Sequence, residues 1–163
     1  MKLQHILATL ILLAAVQFTA SAQLLLGPGI GYGTEIEDNG LAIQARGVYT
    51  ISGPWRAGAD FNYYLDGVKD YSVWDFNVNA HYLFLEGDGL QAYALAGLNY
   101  IKFKVDTGIP GFNGSASDTG LNIGGGVQLP FGGITGLAEA RYVLGDADQL
   151  VLSACILFPI GGK

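Results

Sequence analysis

The sequence has little that could cross-link the chain or attract polyanions. Its one cysteine, Cys155, rules out a disulfide within the chain. Charged residues make up only 13% of the 163 residues, and eight basic residues stand against fourteen acidic ones. An acidic balance without a lysine or arginine cluster argues against nucleic acid as a partner. Because no disulfide can form within the chain, the domain is expected to be stabilised by closure and burial.

Long apolar runs are also missing beyond the N-terminus, although half of all residues are apolar. A membrane helix needs roughly 20 consecutive apolar residues. The run at 6–16 is shorter, follows Lys2, and leads into Ala20-Ser21-Ala22, whose small side chains suit a signal peptidase. We predict a cleaved signal peptide over 1–22, which sends the protein across the inner membrane, and one mature domain over 23–163.

Turn-forming residues divide the mature chain into segments with strand character. The eight segments are 24–36, 41–51, 55–65, 71–84, 90–105, 119–129, 134–144 and 149–160. The longest connection, 106–118, is rich in glycine, serine and aspartate. Regular strand-turn spacing without a helical period indicates a β-sandwich or a barrel.

Most segments alternate between apolar and polar residues. In the third, Trp55 and Phe61 share one face while Arg56 and Asp60 share the other. Segments of about 11 residues match the roughly 9–11 that a tilted membrane strand needs, and open sheet edges are not tolerated in lipid. We predict an all-β fold, an eight-stranded antiparallel up-and-down transmembrane β-barrel in a bacterial outer membrane. The fifth segment breaks the alternation, which predicts a bulge near Asn99 or emergence from the membrane there.

Aromatic side chains on the apolar faces cluster near the strand ends. If the N-terminus is periplasmic, the long connection 106–118 is external and the turn at 86–89 is periplasmic, as is typical of bacterial barrels. The aromatics then form two girdles at the two membrane interfaces. The predicted girdle residues are Tyr32, Tyr49, Trp55, Tyr63, Trp74, Tyr82, Tyr100, Tyr142 and Phe158.

The polar faces carry charges that must be paired if they are buried. We predict a polar network inside the barrel made of Glu35, Arg46, Arg56, Asp60, Asp75, Glu139 and Arg141. The interior of an eight-stranded barrel is just wide enough for side chains to fill it, so a stiffening plug is favoured over an ion-conducting gate.

Other chemistry has weak support in the sequence. His81 lacks an evident nucleophile and orienting group, and Cys155 is expected to be a packing residue inside the barrel. The acidic connections 35–38 and 146–148 lack a repeated calcium-ligand spacing. We expect no enzymatic activity, no cofactor and no metal site.

Four segments resemble the OmpA/OmpX-type bacterial outer-membrane β-barrel domain family: LLLGPGIGYG, AYALAGLNY, GLNIGGGVQLPF and GLAEARYVLGDADQLVLSACILF. The resemblance covers essentially the whole mature chain. It implies contact with outer-membrane lipid and insertion by the outer-membrane assembly machinery, which reads a C-terminal aromatic. Phe158 matches that aromatic, but residues 159–163 follow it.

The leading functional hypothesis is a structural or surface-interaction role in the cell envelope, with the surface ligand unidentified. One alternative is a narrow pore for ions or small solutes. Another is a soluble ligand-binding barrel of lipocalin type, which would need its apolar residues inside and its polar residues outside.

Overall fold

The computed structural model describes residues 24–36, 39–65, 71–87, 89–105 and 114–160. The predicted signal peptide lies outside these residues, as does most of the long connection. The described residues form a closed barrel in which each strand pairs antiparallel with the next and β1 pairs with β8. The predicted eight-stranded antiparallel barrel is confirmed. Its strands are β1 (Leu24–Gly33), β2 (Leu41–Ser52), β3 (Trp55–Tyr64), β4 (Tyr71–Glu86), β5 (Gln91–Val105), β6 (Gly114–Phe131), β7 (Ile134–Leu144) and β8 (Gln149–Ile160).

Within the described residues, no helix has the length and apolar character needed to cross a membrane.

The two ends of the barrel differ in their connections. One end, here called the turn end, has connections at 53–54, 87–90 and 132–133 together with both terminal strand ends. Gly53, Gly132 and Gly133 have φ values of 52°, 56° and 88°, a left-handed conformation that tight hairpin turns require and that side-chain-bearing residues rarely adopt. The opposite end, the loop end, has connections at 34–40, 65–70, 106–113 and 145–148.

Strand β6 is longer than the predicted segment 119–129, whereas β5 matches the predicted segment 90–105 to within one residue. Their pairing runs without a register shift from Gln91↔Gln128 to Val105↔Gly114, so the predicted bulge at Asn99 is wrong. Odd positions of β5 keep facing inward past Asn99, and Ile101 is buried there. The change of pattern arises because the inside of the barrel turns apolar near the loop end. Strand β6 therefore starts at Gly114, within the segment predicted as a loop.

The outer face of the barrel is apolar and the inner face is largely polar. Leu98 and Ile30 expose 62% and 57% of their surface, whereas Asp75 and Asn62 expose none. A soluble lipocalin-type barrel would require the reverse arrangement. The observed pattern suits a barrel surrounded by lipid, where apolar side chains face outward and polar ones face the interior.

Candidate functional site

The middle of the barrel interior contains a cluster of five charged side chains, here called the ionic core. It consists of Arg46, Asp60, Asp75, Glu139 and Arg141 from strands β2, β3, β4 and β7. Each exposes 4% of its surface or less. They meet because strand alternation points them all inward, and because closure of the sheet brings β2 and β3 opposite β7.

Arg46 is the centre of one half of the ionic core. Its Nη1 and Nη2 donate to Glu139 Oε2 and Oε1 at 2.7 and 2.8 Å, a two-pronged contact. Nη2 also donates to Asp60 Oδ1 at 3.1 Å. Tyr93 donates its hydroxyl proton to Glu139 Oε2 at 2.7 Å. Paired contacts of this kind are the strong form of the arginine–carboxylate interaction.

Arg141 is the centre of the other half. Its Nη1 and Nη2 donate to the two carboxylate oxygens of Asp60 at 2.9 and 3.0 Å. Glu139 Oε1 lies 3.3 Å from Nη1, and Asp75 Oδ1 lies 3.9 Å from Nη2. Asp60 therefore bridges both arginines, and the two halves form one network.

Neutral donors surround the third carboxylate, Asp75. Asn62 and Asn77 donate to its Oδ1 at 2.7 and 2.6 Å, and Tyr64 donates its hydroxyl proton to Oδ2 at 2.7 Å. Two arginines therefore face three carboxylates, and amide and hydroxyl donors solvate the carboxylate farthest from an arginine. Such donors lower the cost of burying the extra negative charge.

A band of buried amides continues the network toward β5 and β6. Asn122 Nδ2 donates to Asn79 Oδ1 at 2.8 Å and to Asn77 Oδ1 at 3.0 Å, and Asn99 Nδ2 donates to Asn77 Oδ1 at 2.8 Å. On the β1–β8 side, the thiol of Cys155 donates to Gln44 Oε1 at 2.7 Å. Cys155 thus occupies the interior packing position that its place in the alternation predicts.

His81 and Tyr93 stack inside the barrel, with ring centroids 4.5 Å apart and an interplanar angle of 16°. Glycines on adjacent strands leave room for the two rings. A Cβ atom on Gly58 would lie 2.6 Å from the imidazole, and one on Gly126 would lie 2.5 Å from the Tyr93 hydroxyl oxygen. Neither ring nitrogen of His81 has a hydrogen-bond partner among the described residues. The described contacts make His81 a packing residue.

Two apolar clusters lie on either side of the ionic core. The cluster toward the turn end consists of Leu25, Val48, Leu83, Tyr93, Leu95, Leu137, Cys155 and Leu157. The cluster toward the loop end consists of Ile36, Ala42, Tyr64, Val73 and Ile101. The interior is therefore stacked in three layers, with apolar side chains above and below the charges.

Two of the predicted interior charges, Glu35 and Arg56, lie outside the ionic core. Glu35 is exposed in the connection after β1, which ends at Gly33, so the strand alternation that pointed it inward no longer applies. Arg56 does face inward, but near the turn end, where it donates to Gln128 and Gln91 at 2.5 and 3.0 Å rather than to a carboxylate. The other five predicted charges form the ionic core.

Tyr64, Tyr93 and Asn99 also belong to the network, although the sequence pattern did not predict them. The signal for Tyr93 and Asn99 was present, because both occupy odd positions of β5. The bulge predicted near Asn99 concealed the signal for that residue, and the aromatic ring of Tyr93 masked its polar contact. Tyr64 follows Asp60 and Asn62 in the alternation of β3, but its apolar ring masks its polar contact.

The predicted girdle aromatics all lie on the outer face, near strand ends. Near the turn end, Trp55 and Tyr82 pack edge to face with centroids 5.0 Å apart. Tyr49 on β2 and Phe158 on β8 lie near the same end. Near the loop end, Trp74 lies 5.7 Å from Tyr100. The remaining girdle positions there are Tyr32, Tyr63 and Tyr142, which expose 49%, 41% and 39% of their surface.

The loop end has its own polar contacts above the strand pairs. Asp118, beyond the last β6–β7 pair at Leu121↔Leu144, accepts a hydrogen bond from the Ala147 backbone at 2.9 Å. Backbone donors at Ala147 and Thr119 lower the pKa of this carboxyl below its ordinary value. No group of three or more His, Cys, Asp or Glu residues in the described part of the chain is placed to hold a metal ion.

Comparison with known proteins places these features in a family. Residues 6–149 match the family described as outer membrane protein beta-barrel domain. No curated protein matches the chain in sequence.

Three solved structures illustrate the shared fold. The N-terminal β-barrel domain of Pseudomonas aeruginosa OprF aligns with a TM-score of 0.68 at 18% identity, covering 85% of this chain and 97% of that one. Ail, the attachment invasion locus protein of Yersinia pestis, in complex with the heparin analogue sucrose octasulfate, gives 0.62 at 20% identity, covering 83% and 94%. Neisserial surface protein A gives 0.61 at 18% identity, covering 85% and 96%.

Proposed function

Because this chain belongs to the outer membrane protein beta-barrel domain family, we propose that it acts as a sealed, rigid barrel that holds its loop end at the cell surface. Membership of the family makes it a small outer-membrane protein with a structural or surface-interaction role. The resemblance to OmpA/OmpX-type barrels is thereby confirmed. The observation that carries the proposal is the layered interior, in which the ionic core lies between two apolar clusters.

The packing of the interior supports a sealed barrel over a pore. Arg141, the bulkiest of the fully buried side chains, exposes 1% of its surface, and Leu157 and Val73 in the flanking clusters expose none. An ion crossing the barrel would have to pass both apolar layers without water or polar groups to solvate it, which is costly. The charges themselves are already bound to each other.

The length of the β5–β6 hairpin supports a surface role. Strands β5 and β6 stay paired out to Val105↔Gly114, beyond the point where β6 separates from β7 at Leu121↔Leu144. This hairpin therefore extends past β7 at the loop end, while β4 stays paired with β5 out to Tyr71↔Val105. Bacterial barrels have short periplasmic turns and longer external loops, which favours an external loop end.

Biogenesis follows from the same proposal. Residues 1–22 serve as a cleaved signal peptide, and 23–163 form the mature barrel. The assembly machinery of the outer membrane inserts it, reading the aromatic end of β8 at Phe158. The exposed position of Phe158 on the lipid-facing side of β8 supports that role.

Two measurements test the proposal. In planar bilayers the purified protein should give no stepwise conductance, whereas a pore would conduct and its current would change in Arg141→Ala. On intact cells, an epitope inserted in 106–113 should bind antibody, and the same epitope inserted in 87–90 should bind only after the outer membrane is permeabilised. A conducting wild-type barrel would overturn the sealed interior, and the reverse labelling would overturn the orientation.

A further inference from the structure

The turn end of the barrel contains a cavity that the structural role does not use. Its volume is about 340 Å³, near the lower limit of small-molecule sites, which are about 300–1,000 Å³. Its polar lining comes from Thr50, Arg56, Gln91, Gln128 and Thr135, all at or near the turn-end limits of their strands. The apolar cluster beneath it, which includes Leu25, separates the cavity from the ionic core. The cavity is thus a pocket that opens at the turn end of the barrel and is closed toward the ionic core.

Arg56 is the one charged residue among the described residues that line this cavity. The other two arginines of the chain bind carboxylates, but the described residues place no carboxylate within 4.0 Å of Arg56. Glu86, at the end of β4, is exposed and forms no ion pair with it. The guanidinium uses two donors, on Gln128 and Gln91. Since a guanidinium has five N–H groups, donors remain for a ligand.

Gln128 is the second feature that points to a ligand. Its side chain exposes 1% of its surface and lines the cavity. Its Oε1 accepts from Arg56, which turns the amide nitrogen the other way, and this Nε2 has no hydrogen-bond acceptor among the described residues. A buried amide donor without a partner costs free energy that a bound acceptor would recover.

We propose that this cavity binds a carboxylate-bearing ligand of amino-acid to dipeptide size, held by the guanidinium of Arg56 and the amide of Gln128. A single cationic group matches a singly charged anion, and the planar fork of arginine matches the two oxygens of a carboxylate. Inorganic phosphate carries more negative charge than a carboxylate, and the described lining offers no second cation to pair with it. Leu25, Phe131 and Ile134 provide apolar surface for the rest of the ligand.

The proposal is tested with the whole protein refolded in detergent micelles. N-acetyl-alanyl-alanine is titrated while the Nε–H resonance of Arg56 and the heat of binding are followed. Saturable binding is expected, weaker by about tenfold or more for the C-terminal amide of the same dipeptide, since a hydrogen bond to a charged group is worth that factor. Inorganic phosphate is titrated separately and should bind more weakly than the dipeptide.

Three variants make the result specific. Arg56→Gln should abolish saturable binding. Gln128→Glu places a carboxylate beside Arg56 within the chain, so it should also abolish binding while the unfolding midpoint stays the same or rises, which shows that the barrel still folds. Lys102→Gln removes one positive charge near the loop end and should leave binding unchanged.

The opposite results would overturn the proposal. Equal affinity for the amide and the acid would show that no carboxylate is recognised, and tighter binding of phosphate would assign the cavity to another anion. Binding that survives both Arg56→Gln and Gln128→Glu, or no saturable binding to the wild-type barrel, would remove the site altogether. None of these results bears on whether the barrel conducts or displays its loop end.

Discussion

The Arg46–Glu139 pair allows a quantitative test of the ionic core. Both side chains are almost fully buried, and two hydrogen bonds of 2.7 and 2.8 Å join them. Removing one partner of such a pair leaves the other charge buried without compensation, which typically costs about 3–5 kcal/mol. We expect Arg46→Met and Glu139→Gln each to lower the free energy of unfolding by an amount in this range.

The contacts that remain after each substitution decide which single variant loses more unfolding free energy. In Glu139→Gln, Arg46 keeps its contact with Asp60 at 3.1 Å, so this variant should lie near the lower limit, about 3 kcal/mol. In Arg46→Met, Glu139 keeps only the 3.3 Å contact with Arg141 and the Tyr93 hydroxyl, so the loss should be larger. The double variant removes both charges together and should be less harmful than the sum by about 1–3 kcal/mol.

The assay is reversible urea unfolding in lipid vesicles, followed by the fluorescence of Trp55 and Trp74, which lie on the outer face near the two ends of the barrel. Glu35→Gln is the matched control, because it is the same substitution at an exposed carboxylate and should change stability by about 0.5 kcal/mol at most. If the Arg46 and Glu139 effects simply add, the two charges are hydrated independently. The interior would then be a water-filled channel, and the sealed-barrel proposal would fail.

Two further predictions concern the wall of the barrel. Ala140→Arg places a charge on the outer face in the middle of β7 and should lower the free energy of unfolding by about 2–4 kcal/mol at the bilayer midplane. Ala140→Leu is the control. Equal stability of the two variants would refute the lipid-facing assignment. Gly126→Ala should cost about 1–3 kcal/mol through overpacking, because its Cβ atom would lie 2.6 Å from the Ala138 carbonyl oxygen as well as against Tyr93. The same change at Gly89, where no atom lies within 4 Å, should have little effect on the unfolding midpoint, and equal losses at both positions would contradict the packing argument.

Local patterns in the sequence were sufficient for the architecture. A strand has a period of two residues, so alternation identified the outward and inward faces without knowledge of the partners. Turn residues such as Gly53 and Gly132-Gly133 marked the hairpins, and β7 and β8 begin and end where the sequence predicts. Aromatic residues near strand ends pointed to a membrane, because only lipid accounts for large apolar side chains on the outside of a closed sheet.

The contents of the interior depended on the tertiary structure. Alternation says that Arg46 and Glu139 face inward, but they are 93 residues apart, and only the closure of β1 against β8 brings them together. Along the barrel axis the inward face changes from apolar to polar and back to apolar. In β5 the inward residues Ile101 and Phe103 are apolar, so the sequence pattern assigned them to the outward face. Glu35 is exposed because β1 ends at Gly33, before the alternation reaches it. The height at which a side chain lies in the barrel is set by strand register and tilt, which are properties of the closed sheet and not of any one strand.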